Sequence, residues 1–102
     1  EKGMPPLINA KDSSDAVIRA AEQVLGEAAV DESVPPSLGS DDFSCLLDAC
    51  GGEGIQFLIG TGSDDVLNST LGLHVPENVF PDAAIIPAAA VLAQTAETVL
   101  QR

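Results

Sequence analysis

Tryptophan and tyrosine are absent from the chain and phenylalanine occurs three times, so any core has to be built from alanine, valine, leucine and isoleucine. Basic residues are scarce: four stand against sixteen acids, for a formal charge of −12. Such a field repels phosphate backbones and anionic headgroups, which argues against nucleic acid and membrane surfaces as partners. The plainest reading of the acidity is solubility, with cations or basic proteins as the lesser alternatives. There are two cysteines, Cys45 and Cys50, both in one apolar-periodic segment. They are too few and too close for the disulfide framework of a small secreted domain, and the expected compartment is reducing and cytoplasmic. No unbroken apolar run reaches the roughly 18 to 20 residues that span a bilayer. The start "EKGMPPLINA" also lacks the basic-then-apolar profile of a signal peptide. A single histidine, His74, excludes a histidine-rich metal site made by this chain alone. No GxSxG, Walker A, CxxC, HExxH or Rossmann glycine pattern occurs.

What is present reads as globular: 45% of residues are apolar and the mean hydropathy is +0.22. With 102 residues the chain is one domain at most, with room for a modest core. Pro5 and Pro6 make the first residues an extended connector. "KDSSDAVIRAAEQVLGE" then spaces Val17, Ala20, Ala21, Val24 and Ala28 as one helical face. Ser13 or Ser14 is available as N-cap, Asp15 falls in the first turn and Gly26 near the end. "VDESVPPSL" predicts a short strand or extended loop stopped by Pro35 and Pro36.

"GSDDFSCLLDACGG" repeats the helix grammar: Ser40 as cap, Asp41 and Asp42 at the positive end, a stripe of Phe43, Leu46, Leu47 and Cys50, and Gly51 as stop. "IQFLIG", Ile55 to Gly60, is a continuous apolar run that predicts a strand buried on both faces. "TGSDDVLNSTLG" predicts a surface loop leading to His74. The last segment, from Asp82 to Arg102, predicts a long alanine-rich helix with Ile85, Ala89, Leu92, Ala96 and Val99 or Leu100 on one side and Pro87 in an early turn or at a kink. Helices alternating with apolar strands predict an α/β fold, with helices packed on a few mostly buried strands.

Three features carry candidate chemistry, each beside a plainer alternative. Pro76, two residues past His74, predicts an extended loop backbone from which the imidazole is free to enter a cleft, although a lone histidine is more often structural or on the surface. The acidic GSDD segments lack the glycine and glutamate spacing of an EF-hand, and helix capping explains the first of them better than calcium does. Cys50 with His74 suggests a cysteine nucleophile, but the apolar stripe makes Cys50 an inert buried thiol.

Taken in order, "PPLIN", "AAEQVLGE", "GSDDFSCLL", "IQFLIGTG" and "LHVPENVF" before a final helix resemble the end of an M20-type metallo-amidohydrolase. The nearest branch is the hippurate hydrolase and N-acyl-amino-acid amidohydrolase group. Pro5 to Asn9 is similar to the segment by which that family re-enters its catalytic domain after an inserted lid. Gly39 to Phe43 resembles Gly-Ser-Glu-Asp-Phe with Asp41 in place of glutamate, and Leu73 to Pro76 matches Leu-His-x-Pro. Asn78 departs from the family's frequent aromatic, and Pro87 is displaced by about one position from its early-helix proline.

The resemblance implies that residues 1–102 are the C-terminal segment of a zinc-peptidase-like α/β catalytic domain, beginning just past the lid or dimerisation domain. It implies an enzyme with two divalent metal ions, zinc or manganese, that hydrolyses the amide bond of N-acyl amino acids or small peptides, with His74 ligating one metal. The glutamate base and the other ligands would lie elsewhere, so the 102-residue chain is expected to bind no metal alone and to be inactive. Its partners would be the rest of the catalytic domain and the lid, in an enzyme that forms a homodimer. Gly39 and Ser40, at a helix start, would receive a substrate carboxylate or oxyanion, where the plainer reading is an ordinary capped helix. The alternative for the whole chain is a non-catalytic acidic α/β module that binds a partner or cation.

Overall fold

Helix α1, Lys11–Leu25, starts where the extended connector stops and presents Ala16, Val17 and Ala20 to the interior. The computed structural model describes residues 3–39 and 41–101. α1 is capped by Ala10 with no side-chain bond, so Ser13 and Ser14 lie inside the helix and do not cap it. The start is fixed instead by two contacts. The Ala10 N–H donates to the Gly54 carbonyl at 2.9 Å, and the Lys11 ammonium reaches Asp15 one turn on at 2.6 Å. Gly26, at φ 88, ends the helix by donating its N–H to Glu22, and a 3-10 turn, Glu27–Ala29, follows.

The second helix, α2, Phe43–Ala49, has seven residues. Its first N–H, that of Phe43, is received by Asp41 Oδ1 at 2.8 Å, and Ser40 lies outside the described residues. The expected stripe is turned: Ser44 and Leu47 are buried, while Leu46 and Cys50 are exposed. Two glycines at positive φ, Gly51 and Gly52, close the helix, the latter donating to the Leu47 carbonyl at 2.8 Å. Gly54 then passes directly beneath Leu47, whose Cδ2 fills the space a Cβ there would need.

The third helix, α3, Ile85–Leu100, is preceded by a 3-10 turn, Asp82–Ala84, and holds Pro87 in its first turn, where no intrahelical N–H is required. It packs against α1. On α3 Val91 is buried and Pro87, Ala88, Gln94 and Thr98 are half-buried, so the expected stripe of Ile85, Ala89, Leu92, Ala96 and Val99 or Leu100 points outward. Small side chains account for the choice. Ala16 and Ala20 are fully buried on α1, which packs against α3, and side chains this small let the helix axes approach where isoleucine or leucine would hold them apart. The polar residues on that side cost little, because Thr95 and Thr98 donate their hydroxyls to the carbonyls of Val91 and Gln94 at 2.7 and 2.8 Å.

The α/β expectation is overturned: among the described residues every regular element is a helix and no strand forms. Ile55 to Gly60 is extended, without turn or bend, but has no backbone partner strand; it is half-buried where burial on both faces was expected. Residues 30–39, expected as a short strand or loop, are an exposed loop. A run of apolar residues supplies the side chains of a strand, but the strand itself exists only where a second backbone receives its N–H and C=O groups.

The result is an open molecule. Its surface of 7895 Å² compares with about 5,400 Å² for a folded monomer of 10.4 kDa. Its radius of gyration, 15.2 Å, compares with about 13 Å for a compact domain of this length. Among the described residues the buried apolar side chains are Ala16, Val17, Ala20, Leu47 and Val91, while Leu58, Leu73, Ile85, Ile86, Leu92 and Leu100 are exposed. One correction concerns length. The helical stretch Asp82–Leu100, 19 residues with an 18-residue window of mean hydropathy 1.5, is long and apolar enough to cross a membrane by length and composition, even though no unbroken apolar run in it has that length.

Candidate functional site

His74 sits in a turn, not on extended backbone: the Val75 N–H donates to the Gly72 carbonyl at 3.2 Å across it. The steric restriction imposed by Pro76 falls on the residue immediately before it, Val75, and leaves His74 free to turn. A second turn follows, with the Asn78 N–H on the Val75 carbonyl at 3.0 Å, and the Val79 N–H then returns to the Asn68 carbonyl at 3.0 Å.

That return anchors the histidine loop to a second loop with its own internal lock. Ser69 is buried and its hydroxyl both receives the Ser63 N–H and donates to the Ser63 carbonyl, each at 2.8 Å. Asn68 takes positive φ, 65°, which a short amide side chain tolerates. His74 is therefore exposed on a braced double turn. In the second turn Asn78 keeps a buried Oδ1 that receives no hydrogen bond among the described residues.

The other candidate residues stand apart from it. Gly39 is exposed four residues before α2, and its N–H already donates to Ser37 Oγ at 3.0 Å. Ser40, its expected companion, lies outside the described residues. No hydrogen bond among the described residues joins Gly39 to the His74 loop. No group of three or more histidine, cysteine, aspartate or glutamate side chains gathers among the described residues in a way that holds a metal ion. One imidazole cannot hold such an ion by itself. Cys50, expected on the apolar stripe as a buried thiol, is exposed and free; Cys45 is also free, with its Sγ 3.9 Å from Met4 Sδ.

The feature that sequence reading missed lies along Ile55 to Thr61. Ile55, Phe57, Ile59 and Thr61 are half-buried and the even-numbered residues between them exposed, which is the period of an extended chain with one face inward. The inward face looks onto α3 across two adjoining apolar hollows of about 290 and 310 Å³, which share Ile59 and Ala88. Asn9 holds the segment in place: its amide donates to the Gln56 carbonyl at 3.0 Å and receives the Gln56 N–H at 2.9 Å. One side chain thereby does for one peptide what a neighbouring strand would do for the whole run. The signal in the sequence was the asparagine just before α1, which reads as a turn residue until its partner is known.

No protein-family model, curated protein or solved structure matches this chain.

Proposed function

We propose that the chain is a segment of an M20-type dinuclear-metal amidohydrolase in which His74 ligates one metal through a ring nitrogen. The supporting observation is the placement of that histidine: exposed, on a loop braced by Ser69 and Asn68. A braced, exposed imidazole suits a ligand whose partners come from elsewhere, because the loop stays fixed before the metal arrives. The large exposed apolar surface also suits a chain that is covered by further polypeptide. When bound, the two divalent ions, zinc or manganese, would activate water for hydrolysis of an N-acyl amino acid or small peptide. This chain's part is to hold His74 in register. Gly39, with Ser40 beside it, would serve the substrate carboxylate only by exchanging its bond to Ser37 for the anion. The free cysteines suit a reducing, cytoplasmic setting.

The isolated chain, supplied with zinc or manganese, is expected to show no hydrolysis of N-acyl amino acids. In a longer polypeptide carrying the remaining ligands, His74→Ala is expected to lose bound metal and hydrolysis together. Unchanged metal content in that variant overturns the proposal. A second reading, a non-catalytic acidic binding module, is favoured by the backbone along Phe57 to Ile59, which makes no hydrogen bond among the described residues.

A further inference from the structure

In an extended chain successive peptide groups point to opposite edges. The even edge of the 55–61 run is covered at its start, because the Gly54 carbonyl receives the Ala10 N–H and Asn9 takes both groups of Gln56. The odd edge is bare: the N–H and C=O groups of Ile55, Phe57 and Ile59 make no hydrogen bond among the described residues. The hollow under the inward face of the run is lined on its other side by Ala88 and Leu92 of α3, the latter exposed.

Acidic residues predominate around this run, and Lys11, next to the Ala10 that bonds Gly54, is paired with Asp15. Lys11 and Arg19 precede it on α1, and from residue 20 to residue 101 the sequence contains no lysine or arginine. Glu53, Asp64 and Asp65 bracket the run in sequence, and Asp82 lines the adjoining hollow. A second copy of the chain would bring another formal −12 to the same place. A cationic strand meets no such repulsion.

We propose that the odd edge of Ile55 to Thr61, with the apolar hollow the run shares with α3, takes an extended basic segment of a separate polypeptide as an added strand. The bound segment lies about 4.8 Å from the run and exchanges backbone hydrogen bonds with Phe57 and Ile59. Its alternate apolar side chains settle over Ala88 and Leu92, and its lysines or arginines face outward into the acidic field. This assignment stands independently of the amidohydrolase reading, since it involves neither His74 nor a metal.

The test uses the full chain and a capped synthetic peptide of about seven residues alternating lysine and valine, a length that matches the run. Two further peptides carry N-methyl groups, one on every lysine amide and one on every valine amide. Binding is followed by fluorescence anisotropy on the peptide and by amide NMR on the protein. The unmodified peptide is expected to bind, shifting the amides of Phe57 and Ile59 more than those of Gln56 and Leu58. One methylated peptide, the one blocked on its pairing edge, is expected to lose at least about tenfold in affinity while the other retains it. A glutamate-for-lysine peptide is expected not to bind. Equal binding of both methylated peptides, binding of the acidic peptide, helix formation by the bound peptide, or dimerisation of the free chain through these amides would each overturn the proposal.

Discussion

The α1 and α3 pair and the run from Ile55 to Gly60 are both rich in apolar residues, yet the first forms a closed contact and the second an open one. A helix satisfies its backbone within itself, so α1 and α3 needed a face to bury and nothing more. Fully buried Ala16 and Ala20 provide that face by letting the axes come close. An extended run satisfies no backbone group internally, and among the described residues this one is held by one side-chain clamp, Asn9 on Gln56, and by a backbone bond just before its start, from Ala10 to Gly54. Apolar content decides which side of a segment turns inward, whereas hydrogen-bond closure decides whether the segment becomes an element.

Ala20→Asp breaks the closed region most severely. It introduces an unpaired carboxylate where no solvent reaches, and is expected to cost roughly 3 kcal/mol or more, read as loss of the cooperative urea transition in helical circular dichroism. An intermediate effect is expected for Asn9→Ala, which frees both groups of Gln56. Because the site is exposed, the loss is about 1 kcal/mol, and its signature is faster exchange of the Gln56 amide with α3 unaffected.

Smaller still is the response to pH at the start of α1. The Lys11 hydrogen bond holds the Asp15 carboxyl below its ordinary range, and the same bond raises the Lys11 ammonium. The lowered carboxyl contributes stability above about pH 4, lost as pH falls through its lowered value, and the raised ammonium contributes below about pH 10.4, lost as pH rises through its raised value. Both groups are on the surface, so Asp15→Asn is expected to reduce helicity slightly at neutral pH and to match the unsubstituted chain in strong acid. Least of all, Leu58→Asp, at 75% exposure, is expected to change stability by no more than about 0.5 kcal/mol.

Much of the helical content was legible in the amino-acid order. The face of α1 through Val17 and Ala20, the stop at Gly26 and the early-turn place of Pro87 follow from spacing and from the chemistry of glycine and proline. The face of α3 was misread because Ile85, Leu92 and Leu100 are its largest apolar residues, and the contact with α1 selects small ones. Ile55 to Gly60 was read as a buried strand because its composition is that of one, and composition carries no information about a missing neighbour. At the candidate site the loop position of His74 was legible, while its turn and its brace through Ser69 depend on contacts that no local pattern announces.

Residue-resolved amide hydrogen exchange on the full chain tests the contrast between the two regions most directly. Closed helices and an open-edged run predict slow exchange for Ala20 and Val91, measurable protection at Gln56, and near-random-coil exchange at Phe57 and Ile59. Protection at Phe57 and Ile59 equal to that of the helices would contradict it.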